Sequence, residues 1–308
     1  MADDVRAHLA ALIGDVEVDG LRRLSGGASR ETWSFDAVGP DDRRPLILQR
    51  DRPGGSPKAG MPVQARLLRA AAGAGVPVPA VLAADERAVV VERLEGETIA
   101  RKILRDDEYA AARPVLVAQV GRAVARVHAM PVADFPELEE LDQLATWREI
   151  LDATGQAHPA FELGFRWLQA NRPPSERRTL VLGDFRLGNL VVGPDGLRAI
   201  LDWELAHVGD PVEDLSWLCV KAWRFGAGPP VAGLGSYEEL LAAYAAECGV
   251  VVDPEVLRWW EVLGTLKWGV MCILQASAHL TGAVRSVELA AIGRRVCENE
   301  HDLLVLLP

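Results

Sequence analysis

LVLGDFRLGN, residues 180–189, continued by LVVGPDGLRAILDWE, residues 190–204, is the stretch on which the reading of this chain turns. An apolar, β-type run ends at Gly183 and delivers Asp184. Asn189 follows five residues on, and Asp202 closes a second short apolar run. Two aspartates and an asparagine are hard oxygen ligands of the kind magnesium prefers, with one carboxylate left over to accept a proton from an attacking hydroxyl.

Upstream of this stretch the chain changes character near Leu94–Gly96. Residues 3–13 have the period of a short amphipathic helix. VEVDGLRRL (16–24), RETWSFDAV (30–38) and RRPLILQRD (43–51) are β-type runs separated by Gly, Pro and Asp, as in an antiparallel meander. A Gly/Pro loop follows, then a helix over 62–74 with Val63, Leu67, Leu68 and Ala71 on one face. AVLAAD (80–85) and RAVVVERL (87–94) read as two more strands joined by a turn at Asp85–Glu86. Beyond, 106–130 and 139–171 are helical by period, short strands fall at 179–182, 190–193 and 197–201, and the rest from about 212 is helical. The expected fold class is α+β, in two unequal lobes: residues 1–94, a small antiparallel-sheet lobe, and residues 95–308, a larger helical lobe. A cleft between such lobes is a common home for a ligand.

Composition narrows the function classes. Of 308 residues, 49% are hydrophobic and 25% charged, the balance of a globular protein. A net charge of −11 argues against a nucleic-acid partner, which wants a basic face. No apolar run reaches the roughly 20 residues that span a bilayer, so no membrane partner is expected. Cys219, Cys248, Cys272 and Cys297 are far apart and form no CxxC pair, which points to reduced thiols and a cytoplasmic setting. Oligomeric state has no signature here.

Two further segments bear on a ligand. Ser25, Gly26, Gly27, Ala28 and Ser29 lie between two strands, and glycines let backbone N–H groups approach phosphate oxygens, although a Gly-Gly hairpin turn is also simply structural. VVVERLEG (89–96) is an extended run at the lobe junction, whose backbone can meet a flat base.

Together these segments resemble the aminoglycoside phosphotransferase and choline kinase-like family, which has the protein-kinase-like fold. GDFRLGN…AILDWELAHVGDPVEDLSWL carries the resemblance, which runs from LSGGASRETW to the C-terminal helices. It is nearest to a bacterial branch similar to the kinase-like domains fused to some acyl-CoA dehydrogenases. The resemblance implies transfer of the γ-phosphoryl group of ATP to a hydroxyl of a small molecule. Asp184 would be the base, and Asn189 and Asp202 would hold Mg2+ against the phosphates. Residues Ser25 to Ser29 would cover those phosphates, and backbone atoms of Glu92 and Leu94 would meet the adenine. Asp210 and Asp214 would brace the catalytic loop. Arg186, two residues after the base, would steady the transferred group through forked hydrogen bonds; the alternative is a surface arginine.

Three departures from the family pattern matter. Leu182 stands where a histidine usually precedes the Gly-Asp. Leucine fills the space without bonding, and a polar partner left buried would cost about 1–3 kcal/mol. On this reading Leu182→His raises the melting temperature or kcat. Kinase-like folds also place a lysine on the third strand, paired with a glutamate on the next helix. Here Gln49 and Gln64 stand at those positions. Replacing both charges by amides leaves a neutral bonded pair, so a Gln49–Gln64 contact is expected; the rival is that Arg50 turns inward. These departures keep open a catalytically impaired binding or regulatory protein on the same fold. A metal-dependent hydrolase with water as nucleophile is a further alternative. For the acceptor, a polycation would want clustered carboxylates such as Glu137, Glu139, Glu140 and Asp142. An acyl-CoA-like hydroxy acid would want arginines and tryptophans instead.

Overall fold

The computed structural model describes residues 2–14, 16–24, 30–40, 42–51, 60–174 and 177–308, so Ser25 to Ser29 lie outside the described residues. The N-terminal part is a five-stranded antiparallel sheet in the order β1-β2-β3-β5-β4. Its strands are β1 (Glu17–Arg23), β2 (Arg30–Val38), β3 (Arg43–Asp51), β4 (Val81–Ala84) and β5 (Ala88–Glu92). Both faces of the sheet are covered. Helix α1 (Ala2–Ile13) lays Val5 and Leu9 against Trp33, Phe35, Leu46, Leu48 and Val90. Helix α2 (Met61–Gly73) lays Met61, Ala65, Leu68 and Ala71 against the opposite face, where Ile47, Val89 and Val91 point. Because side chains alternate along a strand, this arrangement fixes which residues of β2 and β3 face α2. The register sets Arg30 against Asp51, Thr32 against Gln49 and Ser34 against Ile47.

From Glu92 the chain crosses to the helical part. Gly96 has φ 148, and a Cβ there would meet Val191 Cγ1 at 2.6 Å and the Val192 carbonyl at 2.9 Å, so only glycine fits. Glu97 and Val192 exchange backbone hydrogen bonds of 2.9 and 3.0 Å at this crossing. Helices α3 (Ala100–Arg105) and α4 (Arg113–His128) follow. The predicted helix over 106–130 therefore starts late, behind a short 3-10 turn at Asp107–Tyr109. The predicted helix over 139–171 is two helices, α5 (Gln143–Thr154) and α6 (Pro159–Ala170). Gly155 adopts a left-handed φ of 65 and ends the first; Pro159 begins the second.

Two small antiparallel pairs carry the quoted stretch. Strand β6 (Thr179–Val181) pairs with β9 (His207–Gly209), and β7 (Leu190–Gly193) pairs with β8 (Gly196–Ile200). They rest on a core that includes Leu180, Leu182, Phe185, Leu190, Val192 and Trp203, with α4 beneath. The remaining helices are α7 (Val212–Trp217), α8 (Tyr237–Cys248), α9 (Pro254–Leu280), α10 (Val287–Ile292) and α11 (Arg295–Leu306). A second core of Phe161, Phe165, Trp259, Leu263, Leu266 and Leu303 locks α6, α9 and α11 together. Among the described residues, no helix is long and apolar enough to cross a membrane.

Candidate active site

The loop after β6 is held from below. The Leu182 and Gly183 amides donate to the two carboxylate oxygens of Asp214 at 2.8 and 2.9 Å. Asp214 is fully buried on α7, and its Oδ2 also lies 3.1 Å from His128 Nε2, whose Nδ1 is 3.1 Å from the Tyr244 hydroxyl. Lys267 of α9 donates from Nζ to the Gly183 carbonyl at 3.1 Å. Gly183 itself has φ 78, and a Cβ would sit 2.8 Å from the Leu205 carbonyl. The bracing role expected of Asp214 is thus explicit in its contacts. Asp210 caps its own turn, accepting from the Val212 amide at 2.9 Å. Leu182 is buried in the apolar core. Its own amide and that of Gly183 have Asp214 as their partner.

A buried charge cluster lies under the same loop. Lys267 Nζ is 3.2 Å from Glu213 Oε1, and Glu213 Oε2 is 3.1 Å from His207 Nε2. Burial alone would raise the Glu213 pKa, but the charges of Lys267 and His207 outweigh it and hold the carboxyl below its ordinary value. For His207, burial disfavours the cation, yet the Glu213 carboxylate and the Leu205 carbonyl at 2.9 Å outweigh that and raise its pKa. The cluster puts both His207 and Glu213 to structural use.

Asp184 sits above this support with both oxygens engaged. Oδ1 accepts from Trp217 Nε1 at 2.8 Å, and Oδ2 accepts from Asn189 Nδ2 at 2.7 Å. The same Asn189 amide donates to the Asp184 carbonyl at 2.8 Å, which closes the loop on itself. Arg186 Nε lies 3.1 Å from each carboxylate oxygen, and its guanidinium is stacked 5.1 Å from the Trp223 ring centre. Arg186 is therefore docked on the aspartate and a tryptophan. The Asn189 carbonyl receives the Leu201 amide at 2.8 Å, which brings Asp202 up beside the loop. Asp202 has a left-handed φ of 62, a strained setting for a residue with a side chain. Burial, and then the nearby carboxylates of Glu204 and Asp184, push its carboxyl up to about 6.

On the sheet side, the amide pair forms: Gln64 Nε2 donates to Gln49 Oε1 at 3.0 Å. The rival placement of Arg50 fails. Arg50 points to the α1 face, where it pairs with Glu31 at 2.8 Å and Asp4 at 2.7 Å. A third member joins the pair from β2. Arg30, only 6% exposed, donates from a terminal guanidinium nitrogen to Gln64 Oε1. Its Nε lies 3.6 Å from Asp51 Oδ1 and 3.4 Å from Glu204 Oε2, so it reaches across to the residues beside Asp202. Glu92 ends β5 with its amide on the Ala80 carbonyl at 2.9 Å, and Leu94 is half-buried two residues later.

Arg30 and Lys267 are the contributors that sequence reasoning missed. Arg30 could have been found by carrying strand alternation across the β2–β3 register from Gln49. Lys267 arrives from the distant helix α9, and no local spacing marks it. Three of the four acidic residues weighed for a polycation are occupied elsewhere. Glu137 pairs with Arg66, Glu140 pairs with Arg178, and Asp142 caps α5 while pairing with Arg172 at 2.9 Å.

Residues 20–260 match the family described as Phosphotransferase enzyme family. The chain is 27% identical to acyl-CoA dehydrogenase family member 10 of Mus musculus over 95% of its own length, but spans only 30% of that protein. It is 30% identical to streptomycin 3''-kinase of Streptomyces griseus, covering 68% of this chain and 81% of that one. Among solved structures, a spectinomycin phosphotransferase in complex with ADP and spectinomycin superposes with a TM-score of 0.66 at 12% identity, over 99% of this chain and 98% of that one. The chain belongs to the phosphotransferase enzyme family and has its two-lobed, protein-kinase-like fold.

Proposed function

We propose that this member of the phosphotransferase family is a small-molecule kinase: it moves the γ-phosphoryl group of ATP to a hydroxyl of a small acceptor, with Asp184 as base. The acceptor oxygen attacks the γ-phosphorus, the bond to the ADP oxygen breaks, and the hydroxyl proton passes to an Asp184 oxygen. The observation that carries this reading is the carboxylate itself. Trp217 and Asn189 hold it from two sides, which fixes where it points.

The donor set fits a magnesium ion. Asn189 spends its amide N–H on Asp184, so its side-chain carbonyl is turned away from that contact. Asp202 adds a buried carboxylate beside those of Glu204 and Asp184; burial first, and then these neighbours, raise its pKa. One carboxylate and one amide oxygen, completed by water and phosphate oxygens, is an ordinary magnesium shell. When bound there, the ion would neutralise charge on the transferred phosphoryl group. Arg186 then has a task besides docking on Asp184: swung from the carboxylate, its forked donors can reach that group. The solved neighbour holding ADP supports ATP as co-substrate.

The test is ADP release against a panel of hydroxylated acceptors. Asp184→Asn should retain nucleotide binding and lose about 10²–10⁴-fold in kcat. Acceptor-dependent turnover that survives in Asp184→Asn removes the aspartate from its role. The absence of a lysine from β3 favours a second reading, a binding protein on the same fold, which predicts nucleotide binding with no ADP release by any acceptor.

A further inference from the structure

Resting on that kinase reading is a question of charge. The lobe that should grip the nucleotide has lost its usual cation: β3 offers Gln49, and α2 answers with Gln64. Two amides cannot neutralise the α- and β-phosphates. Yet one cation does stand in this place. Arg30 opens β2 immediately after the Ser25–Ser29 stretch, on the same sheet face as Gln49, with Thr32 as the intervening step on that face. One such step is about 7 Å, well within the reach of an arginine side chain. The guanidinium ends on Gln64 Oε1 and is buried against α2.

We infer that Arg30 is the nucleotide-phosphate-binding cation of this protein, supplied from β2 in place of the missing β3 lysine. Gln64 orients it, as a helix glutamate would orient a lysine, and Gln49 orients Gln64. The exchange explains why both amides occur together. A glutamate at position 64 would add a further full ion pair to Arg30 and compete with phosphate for it, whereas a glutamine holds the guanidinium through a single neutral oxygen. Asp51 and Glu204, at 3.6 and 3.4 Å, are anions that Arg30 faces. A polyphosphate entering between the lobes offers better matched oxygens to a planar, forked donor. Arg50, the β3 arginine nearest this level, is committed to Glu31 and Asp4 on the far face.

The experiment is calorimetry of Mg-ATP, Mg-ADP and adenosine binding to wild type, Arg30→Gln, Arg30→Lys and the triple variant Arg30→Gln/Gln49→Lys/Gln64→Glu. Arg30→Gln is expected to weaken ATP and ADP about 10- to 100-fold, with adenosine unchanged, since hydrogen bonds to charged groups carry that much. Arg30→Lys, which keeps the charge but not the fork, should fall between the two. The triple variant, which restores a lysine–glutamate pair, should recover most of the ATP affinity. Wild-type ATP affinity in Arg30→Gln overturns the assignment and leaves the kinase reading standing. Equal losses for ATP and adenosine in Arg30→Gln or Arg30→Lys mean that Arg30 only holds the lobe together, which also overturns it. Should Arg30→Gln fail to fold, Arg30→Lys decides through its ATP-to-adenosine ratio. A wild type that binds no nucleotide removes the kinase reading and this assignment with it.

Discussion

Asp184 shows what local spacing can and cannot reveal about a single residue. Asn189 and Arg186 lie within five positions of it, and their contacts follow from the loop they share. The Trp217 indole, which comes from α7, reaches the same carboxylate only through the tertiary fold. Trp217→Phe keeps the ring and deletes the donor. It should lower kcat about 10-fold or more with little change in KM for ATP, because hydrogen bonds to charged groups carry about 1.5–3 kcal/mol; steady-state kinetics decides. Leu182 teaches the opposite lesson. The sequence suggested that a histidine would help there, because the bonds made by the Leu182 and Gly183 amides to Asp214 cannot be read from a string. With those bonds in place and the side chain fully buried, Leu182→His puts an imidazole into apolar packing. It should destabilise the protein by about 1–3 kcal/mol in urea unfolding, through an unsatisfied buried polar group.

At the scale of elements, strands and helices with a clear period were legible, and their ends were not. β9 has three residues, too few for alternation to register, and it is recognisable only as the partner of β6. The split between α5 and α6 had its signals in Gly155 and Pro159, but the apolar period continues on both sides and masks them. The sheet allowed the Gln49–Gln64 contact to be expected because α2 and β3 alternate regularly; Arg30 escaped because its register depends on a hairpin pairing. The three elements β9, α7 and α9 meet in the His207–Glu213–Lys267 cluster, which gives the molecule a pH-dependent component. The folded-state pKa of His207 is raised above 6.5, so its contribution is full below that pH and is lost as pH rises through the folded value. Gln143 Nε2, 3.0 Å from His207 Nε2, and Lys267 are the other polar groups facing the cluster. Wild type should therefore exceed His207→Gln in stability by about 1–3 kcal/mol at pH 6, and the gap should narrow towards pH 9. A constant gap in unfolding experiments across that range would show that His207 takes up its proton alike in the folded and unfolded chain.

At the scale of the whole molecule, polar groups of the sheet and of the helical part meet at one place. From the helical side come Asp184, Asn189, Asp202 and Glu204; from the sheet comes Arg30, with Gln49 and Gln64 behind it. Burial, and after it the carboxylates of Glu204 and Asp184, push Asp202 up to about 6, and a bound cation is the natural way to relieve that. This division of labour was partly legible, since the three oxygen-bearing residues and their order were visible in the quoted stretch. Which cation would oppose them from the other lobe was not, because it depends on three-dimensional register. The most direct test is calorimetry of ATP binding, with and without magnesium, on wild type and Asp202→Ala. The account predicts binding that needs magnesium and that Asp202→Ala abolishes. ATP binding indifferent to both magnesium and the substitution, or no binding by wild type at millimolar ATP, would contradict it.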